Sequence, residues 1–210
     1  MRAFLSLPDE LLQSVIKYIA YLPIIPRDSN YVIGYSFTRP STELLGLSVA
    51  NWRLRQVCLS FLFANIRICD YDMEKLDSYI ALLSRFTKTL VIELSPFGYE
   101  TRSQIIAHIL PQLERLRCVD LNPCRPGKFV LRTALALPTI ISVLIHEFPD
   151  ESFNNEDLSK VIFSCESLTI SDLSLGFKRC LDHGVKLKHL RLYKPELPIS
   201  DSRLSRDWKE

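Results

Sequence analysis

Hydrophobic positions along this chain follow two different rhythms, one before and one after residue 62. In LSLPDELLQSVIKYIAYL, residues 5–22, Leu11, Leu12, Val15, Ile16 and Ile19 recur on one side of a helix of 3.6-residue period. Pro8 suits the first turn of that helix, and Asp9 and Glu10 set negative charge at its positive dipole end. A second apolar stretch, LLGLSVANWRLRQVCLSFLFANI, covers residues 44–66. Between them Pro23, Pro26 and Pro40 predict an inserted surface loop over 23–43, since closure entropy rises slowly with loop length. The apolar stripe of the first helix is wider than three short helices can bury among themselves. It therefore predicts a surface that a partner protein covers.

From residue 63 onward the motif apolar-x-x-apolar-x-apolar occurs six times. The copies are Phe63, Ile66, Ile68; Thr87, Leu90, Ile92; Leu116, Val119, Leu121; Ile140, Val143, Ile145; Cys165, Leu168, Ile170; and Leu187, Leu190, Leu192. Their last members stand 24, 29, 24, 25 and 22 residues apart, and this near-regularity, rather than any single copy, marks a repeat. Helical patterns fill the gaps. Leu76, Ile80, Leu83 and Phe86 share one helix face, and Thr101 with Gln104 forms a capping-box signature ahead of Ile105, Ile106, Ile109 and Leu113. Residues 130–137 predict a short helix. Asn154 or Asn155, with Glu156 and Asp157, opens another through Leu158, Val161 and Ile162, and Gly184 suits the end of one containing Cys180 and Leu181. One strand plus one helix per unit lets each unit bury its inner face on the next. An ordinary parallel α/β sheet gives the same alternation, and both architectures stay open at this point.

Leu7, Pro8, Glu10, Leu11, Leu12 and Ile16, then Leu45, Leu47, Ala50 and Leu54, stand at the relative positions of an F-box, so that roughly the first 60 residues resemble that family. Leu54 occupies a position where many F-boxes carry Trp, and Trp52 one usually taken by Arg. The remainder resembles a leucine-rich-repeat array, with the asparagine that often follows such a strand found cleanly only at Asn122. The resemblance implies an α/β chain: an N-terminal three-helix F-box over 1–62, a short solenoid of parallel strands and helices over 63–198 with about six repeats, and a polar tail over 199–210. It also implies a substrate-recognition subunit of an SCF-type cullin-RING ubiquitin ligase. Leu7, Pro8, Leu11, Leu12, Ile16, Leu45, Leu47, Ala50 and Leu54 would bind the SCF adaptor, and through it a cullin. A scaffold that binds the adaptor without recruiting a target is the alternative, and an enzyme of unrecognised type the third possibility.

Side chains alternate across a strand, so the residue between the last two apolar members of each copy points away from the core, as does the residue just after. One outward row is Arg67, Val91, Asp120, Leu144, Thr169 and Arg191; the next is Cys69, Glu93, Asn122, His146, Ser171 and Tyr193. Val91, Glu93, Asp120, Leu144, His146, Arg191 and Tyr193 are the candidate contacts for a target protein, with Val91 and Leu144 expected exposed beside the Arg and Tyr anchors.

Composition narrows the field further. The chain has 210 residues, 47% of them hydrophobic, which is ample for a packed core. Its 26 basic and 24 acidic residues are interspersed, so no electrostatic footprint for nucleic acid is expected. The apolar start meets Pro8, Asp9 and Glu10 too soon for a secretory signal, and the longest uncharged run, Thr133–Ile145, is short of a membrane span. The six cysteines, at 58, 69, 118, 124, 165 and 180, form no CxxC pair, which suits reduced thiols in cytoplasm or nucleus. Cys180, His183 and His189 are too few ligands for a structural zinc site, so neither metal nor cofactor is expected. His108, on an apolar helix face, reads as a partly buried, hydrogen-bonded histidine, and no GxSxG, GxxxxGK or GxGxxG motif is present. Catalysis is not expected.

Overall fold

Helix α1 (Asp9–Ala20) begins at the acidic pair, and Leu12, Ile16 and Ala20, one turn apart, point into a small core with exposures of 0%, 0% and 4%. Two further helices complete this core, α2 (Thr42–Ala50) with Leu44 and α3 (Trp52–Leu62) with Leu54 and Cys58. Asn51 separates them and caps α3, its side-chain oxygen accepting the Arg53 N–H at 2.8 Å. Arg53 then ties α3 to α1. Its guanidinium donates to Asp9 Oδ1 at 2.9 and 2.6 Å and to the Leu7 carbonyl at 2.6 Å.

The computed structural model describes residues 6–20, 42–94, 99–122, 127–146, 163–170 and 187–192. Within them lie six α-helices and one parallel sheet in the order β1-β2-β3-β4-β5-β6, a mixed α/β fold. The strands are β1 (Asn65–Cys69), β2 (Thr89–Glu93), β3 (Cys118–Asn122), β4 (Ser142–Ile145), β5 (Ser167–Ile170) and β6 (His189–Leu192). Every sequence copy contributes a strand, and the sheet register aligns the copies with one another. Ile66, Leu90, Val119, Val143, Leu168 and Leu190 form one rung; Ile68, Ile92, Leu121, Ile145, Ile170 and Leu192 form the next. A shared device joins successive strands. One carbonyl, of Ala64, Lys88, Arg117, Ile141 and Glu166 in turn, accepts two consecutive N–H groups of the following strand at 2.7–3.0 Å.

Helices α4 (Leu76–Phe86), α5 (Tyr99–Ile109) and α6 (Lys128–Ala136) cover one face of this sheet, with a 3-10 turn before α4 (Asp70–Lys75) and another after α5 (Leu110–Gln112). The second core joins the inward strand residues to Leu76, Leu83, Ile106, Ile109, Leu110, Leu113, Val130, Leu131, Ala134 and Leu135. The first members of the repeat motif close its rim: Thr87, Leu116, Ile140 and Cys165 are at most 1% exposed. The handover between cores falls at one peptide bond, since Leu62 packs on the helical core and Phe63 on the sheet core.

Several local expectations change. Helix α5 starts at Tyr99, which makes Thr101 its third residue rather than its cap, and Ile105 is 38% exposed while Ile106 and Ile109 are buried. His108 is exposed, not partly buried. Thr42 and Glu43 already belong to α2, and the rest of the expected 23–43 loop lies outside the described residues. So do the helix expected over Leu158–Ile162, the one ending at Gly184, and the tail. No helix among the described residues is long and apolar enough to cross a membrane.

Candidate functional site

The helical module satisfies its own core and still shows apolar side chains to solvent. Leu11 (54%), Val15 and Tyr18 (74%) follow each other at i, i+4 and i+7 along α1, beside the buried Leu12–Ile16–Ala20 stripe. Leu45 and Val49 (81%) repeat this on α2 beside buried Leu44, and Trp52 (74%) opens α3. The Arg53 clamp to Leu7 and Asp9 brings the start of α3 against the start of α1, so Trp52 and the first turn of α1 share one end of the module. Val49 precedes Trp52 in sequence by Ala50 and the extended Asn51. Six of the large exposed apolar residues thus belong to three short helices.

The expected adaptor contacts divide on this geometry. Leu11 and Leu45 are exposed, Pro8 and Ala50 lie at the surface, and Leu7 and Leu47 are half-buried. Leu12, Ile16 and Leu54 are at most 2% exposed and spend their apolar area inside the module. They position the surface rather than form it. Val15, Tyr18, Val49 and Trp52 are exposed beside them, four residues that motif matching passed over. For Val15 and Tyr18 the signal was present, because a helix whose apolar positions run 11, 12, 15, 16, 18 and 19 has one stripe for its core and one left over.

On the sheet, the face opposite the helices carries the expected row, with Arg67, Val91, Asp120, Leu144, Thr169 and Arg191 in register. Its chemistry differs from the expectation in one respect. Val91 and Leu144 are each 4% exposed, so neither is available as an anchor. Val91 sits between Arg67 and Asp120, and Leu144 between Asp120 and Thr169, about 5 Å away across the strands. Arg67, beside Val91, bonds Glu93. Asp120, between Val91 and Leu144, meets His146, Oδ1 to Nε2, at 3.0 Å. The polar rim is therefore Arg67, Glu93, Asp120 and His146 on β1 to β4, and exposed Arg191 on β6, whereas Tyr193 lies outside the described residues. The hydrogen bond to Glu93 is the main cause that raises the pKa of the Arg67 guanidinium.

Among the described residues, no thiol has its pKa lowered toward the reactive thiolate. Burial raises Cys58 and Cys69, raises Cys118 against an opposing hydrogen bond with Ser142, and pushes Cys165 up to about 11. Among the described residues, no three His, Cys, Asp or Glu side chains are placed to hold a metal ion. The sheet also keeps sequential strand order, so it lacks the topological switch point at which open α/β sheets form ligand crevices. The described residues present two distinct surfaces, one apolar on the helical module and one polar on the sheet. No protein-family profile, no curated protein and no solved structure matches this chain.

Proposed function

We propose that this chain is a substrate-recognition subunit of an SCF-type cullin-RING ubiquitin ligase. In this reading the N-terminal helices are an F-box that binds the SCF adaptor, and the strand array is a leucine-rich-repeat-like receptor for a target protein. The observation that carries it is the apolar surface of Leu11, Val15, Tyr18, Leu45, Val49 and Trp52 on a module whose own core is already complete. The F-box positions Leu7, Pro8, Leu11 and Leu45 stand on or beside that surface. The array side is supported by strands in chain order, with the repeat motif itself as the sheet register. The target would meet the polar rim of Arg67, Glu93, Asp120, His146 and Arg191, and no catalytic or cofactor role falls to the chain. Cytoplasm or nucleus is where such a complex would work.

Affinity purification of the tagged chain from cells, followed by mass spectrometry, tests the assignment. Adaptor and cullin should co-purify, and should be lost when Leu11 and Trp52 are both changed to Ser while the array is intact. Recovery of the adaptor without any protein whose lifetime depends on this chain would favour the scaffold alternative. Absence of the adaptor contradicts both.

A further inference from the structure

The two edges of the sheet are finished differently. At β1 the inward Ile68 is 1% exposed and Ile66 is partly buried against the core. At β6 the same rungs end in Leu190 at 38% and Leu192 at 49%, although their neighbours Leu168 and Ile170 on β5 are 0% exposed. All four residues of β6 are exposed. Among the described residues no strand pairs with the outer edge of β6.

Backbone alternation says which groups that edge presents. The His189 N–H donates to the Glu166 carbonyl on the β5 side, as the Ser167 N–H donates to the Ile141 carbonyl one array position earlier. Successive residues of a strand aim their backbone polar groups to opposite sides. His189 and Arg191 therefore face β5, and the N–H and C=O groups of Leu190 and Leu192 face outward. The two residues with exposed apolar rungs are also the two whose outward backbone groups meet no strand among the described residues. On the opposite face of the same strand stand His189 and Arg191, next to Lys188, which reaches Glu166 at 3.1 Å. From Lys186 to Lys194 the sequence KLKHLRLYK holds no acidic residue.

We propose that β6 receives an extended acidic segment of a partner protein as a seventh strand. Its alternate apolar side chains continue the Leu190 and Leu192 rungs, and its Asp or Glu side chains lie opposite His189 and Arg191. Strand addition supplies affinity through main-chain hydrogen bonds, and alternate side chains supply selectivity. The basic residues exclude a second copy of the same edge, because like charges would then lie across from one another. This site stands whether or not the helical module binds an SCF adaptor.

A fluorescein-labelled peptide of alternating valine and glutamate, titrated into the full chain by anisotropy, tests the site. Saturable binding is expected, roughly tenfold tighter than for the alternating valine–lysine peptide, and Arg191→Glu should reverse that order. Leu192→Pro removes an outward donor while sparing the bonds to β5, so it should abolish binding without altering the circular dichroism spectrum. N-methylation of every second amide of the probe should abolish binding too, which gives a test independent of how any variant folds. No saturable binding, equal affinity for both peptides, or binding indifferent to N-methylation overturns the proposal. So does a dimer in light scattering that Leu192→Pro dissociates, since the edge would then belong to a second copy.

Discussion

Thr87 occupies a slot that Phe63, Leu116, Ile140, Cys165 and Leu187 fill in the other copies, and it is fully buried with no hydrogen-bond partner for its hydroxyl. A buried, unsatisfied hydroxyl costs free energy, and valine has the same shape without it. Thr87→Val should therefore stabilise the fold by about 1 kcal/mol, read as a higher midpoint in urea unfolding with unchanged slope. Cys165 gives a pH signature at the same scale. Burial holds its thiol protonated up to about 11, against an ordinary value of 9.0, so the folded state keeps a proton that the unfolded chain has lost. That contribution to stability is whole below pH 9.0 and is lost as pH rises from there toward about 11. The thermal midpoint should fall over this window, and less steeply in Cys165→Ala.

At the scale of elements, the strands were the most legible part of the chain. A six-residue motif with two inward positions at fixed offset determines both strand location and register once neighbours must share rungs, and all six strands obey it. The outward row followed by alternation alone, but the burial of Val91 and Leu144 did not, because it arises only once neighbouring strands stand side by side in register. The α5 boundary was misread for a related reason: Thr101 and Gln104 are a capping box in sequence, yet the helix takes two more residues before them. On α1 the core and surface stripes are adjacent, and periodicity could not say which was which. Mutation separates them. Leu12→Ala should cost about 2–5 kcal/mol of stability as a core truncation, whereas Leu11→Ala should stay within about 0.5 kcal/mol. Chemical denaturation of the two variants side by side checks this. Equal losses would place Leu11 in the core and remove it from the interaction surface.

For the whole molecule, two cores meet at the Leu62–Phe63 bond, and the helical one carries a disproportionate share of exposed apolar surface. Burying such side chains on a partner is worth about 25 cal/mol per Å2 of apolar area before the costs of association, so under the proposed function exposed Tyr18, Val49 and Trp52 would be the anchors rather than the motif leucines that are already covered. Stability and binding should separate cleanly, with Leu12, Ile16 and Leu54 governing the first and Leu11, Tyr18, Val49 and Trp52 the second. The most direct measurement is calorimetric titration of purified SCF adaptor into the intact chain and into the variant Leu11→Ser, Val49→Ser, Trp52→Ser. The parent should bind with one-to-one stoichiometry, and the triple variant, with its thermal midpoint unchanged, should bind at least about 100-fold more weakly, by the usual loss when several central anchors are removed. A parent chain that gives no binding heat at any temperature tried and no adaptor shift in sedimentation, or a triple variant that binds as tightly as the parent, would contradict the assignment of this surface to the adaptor.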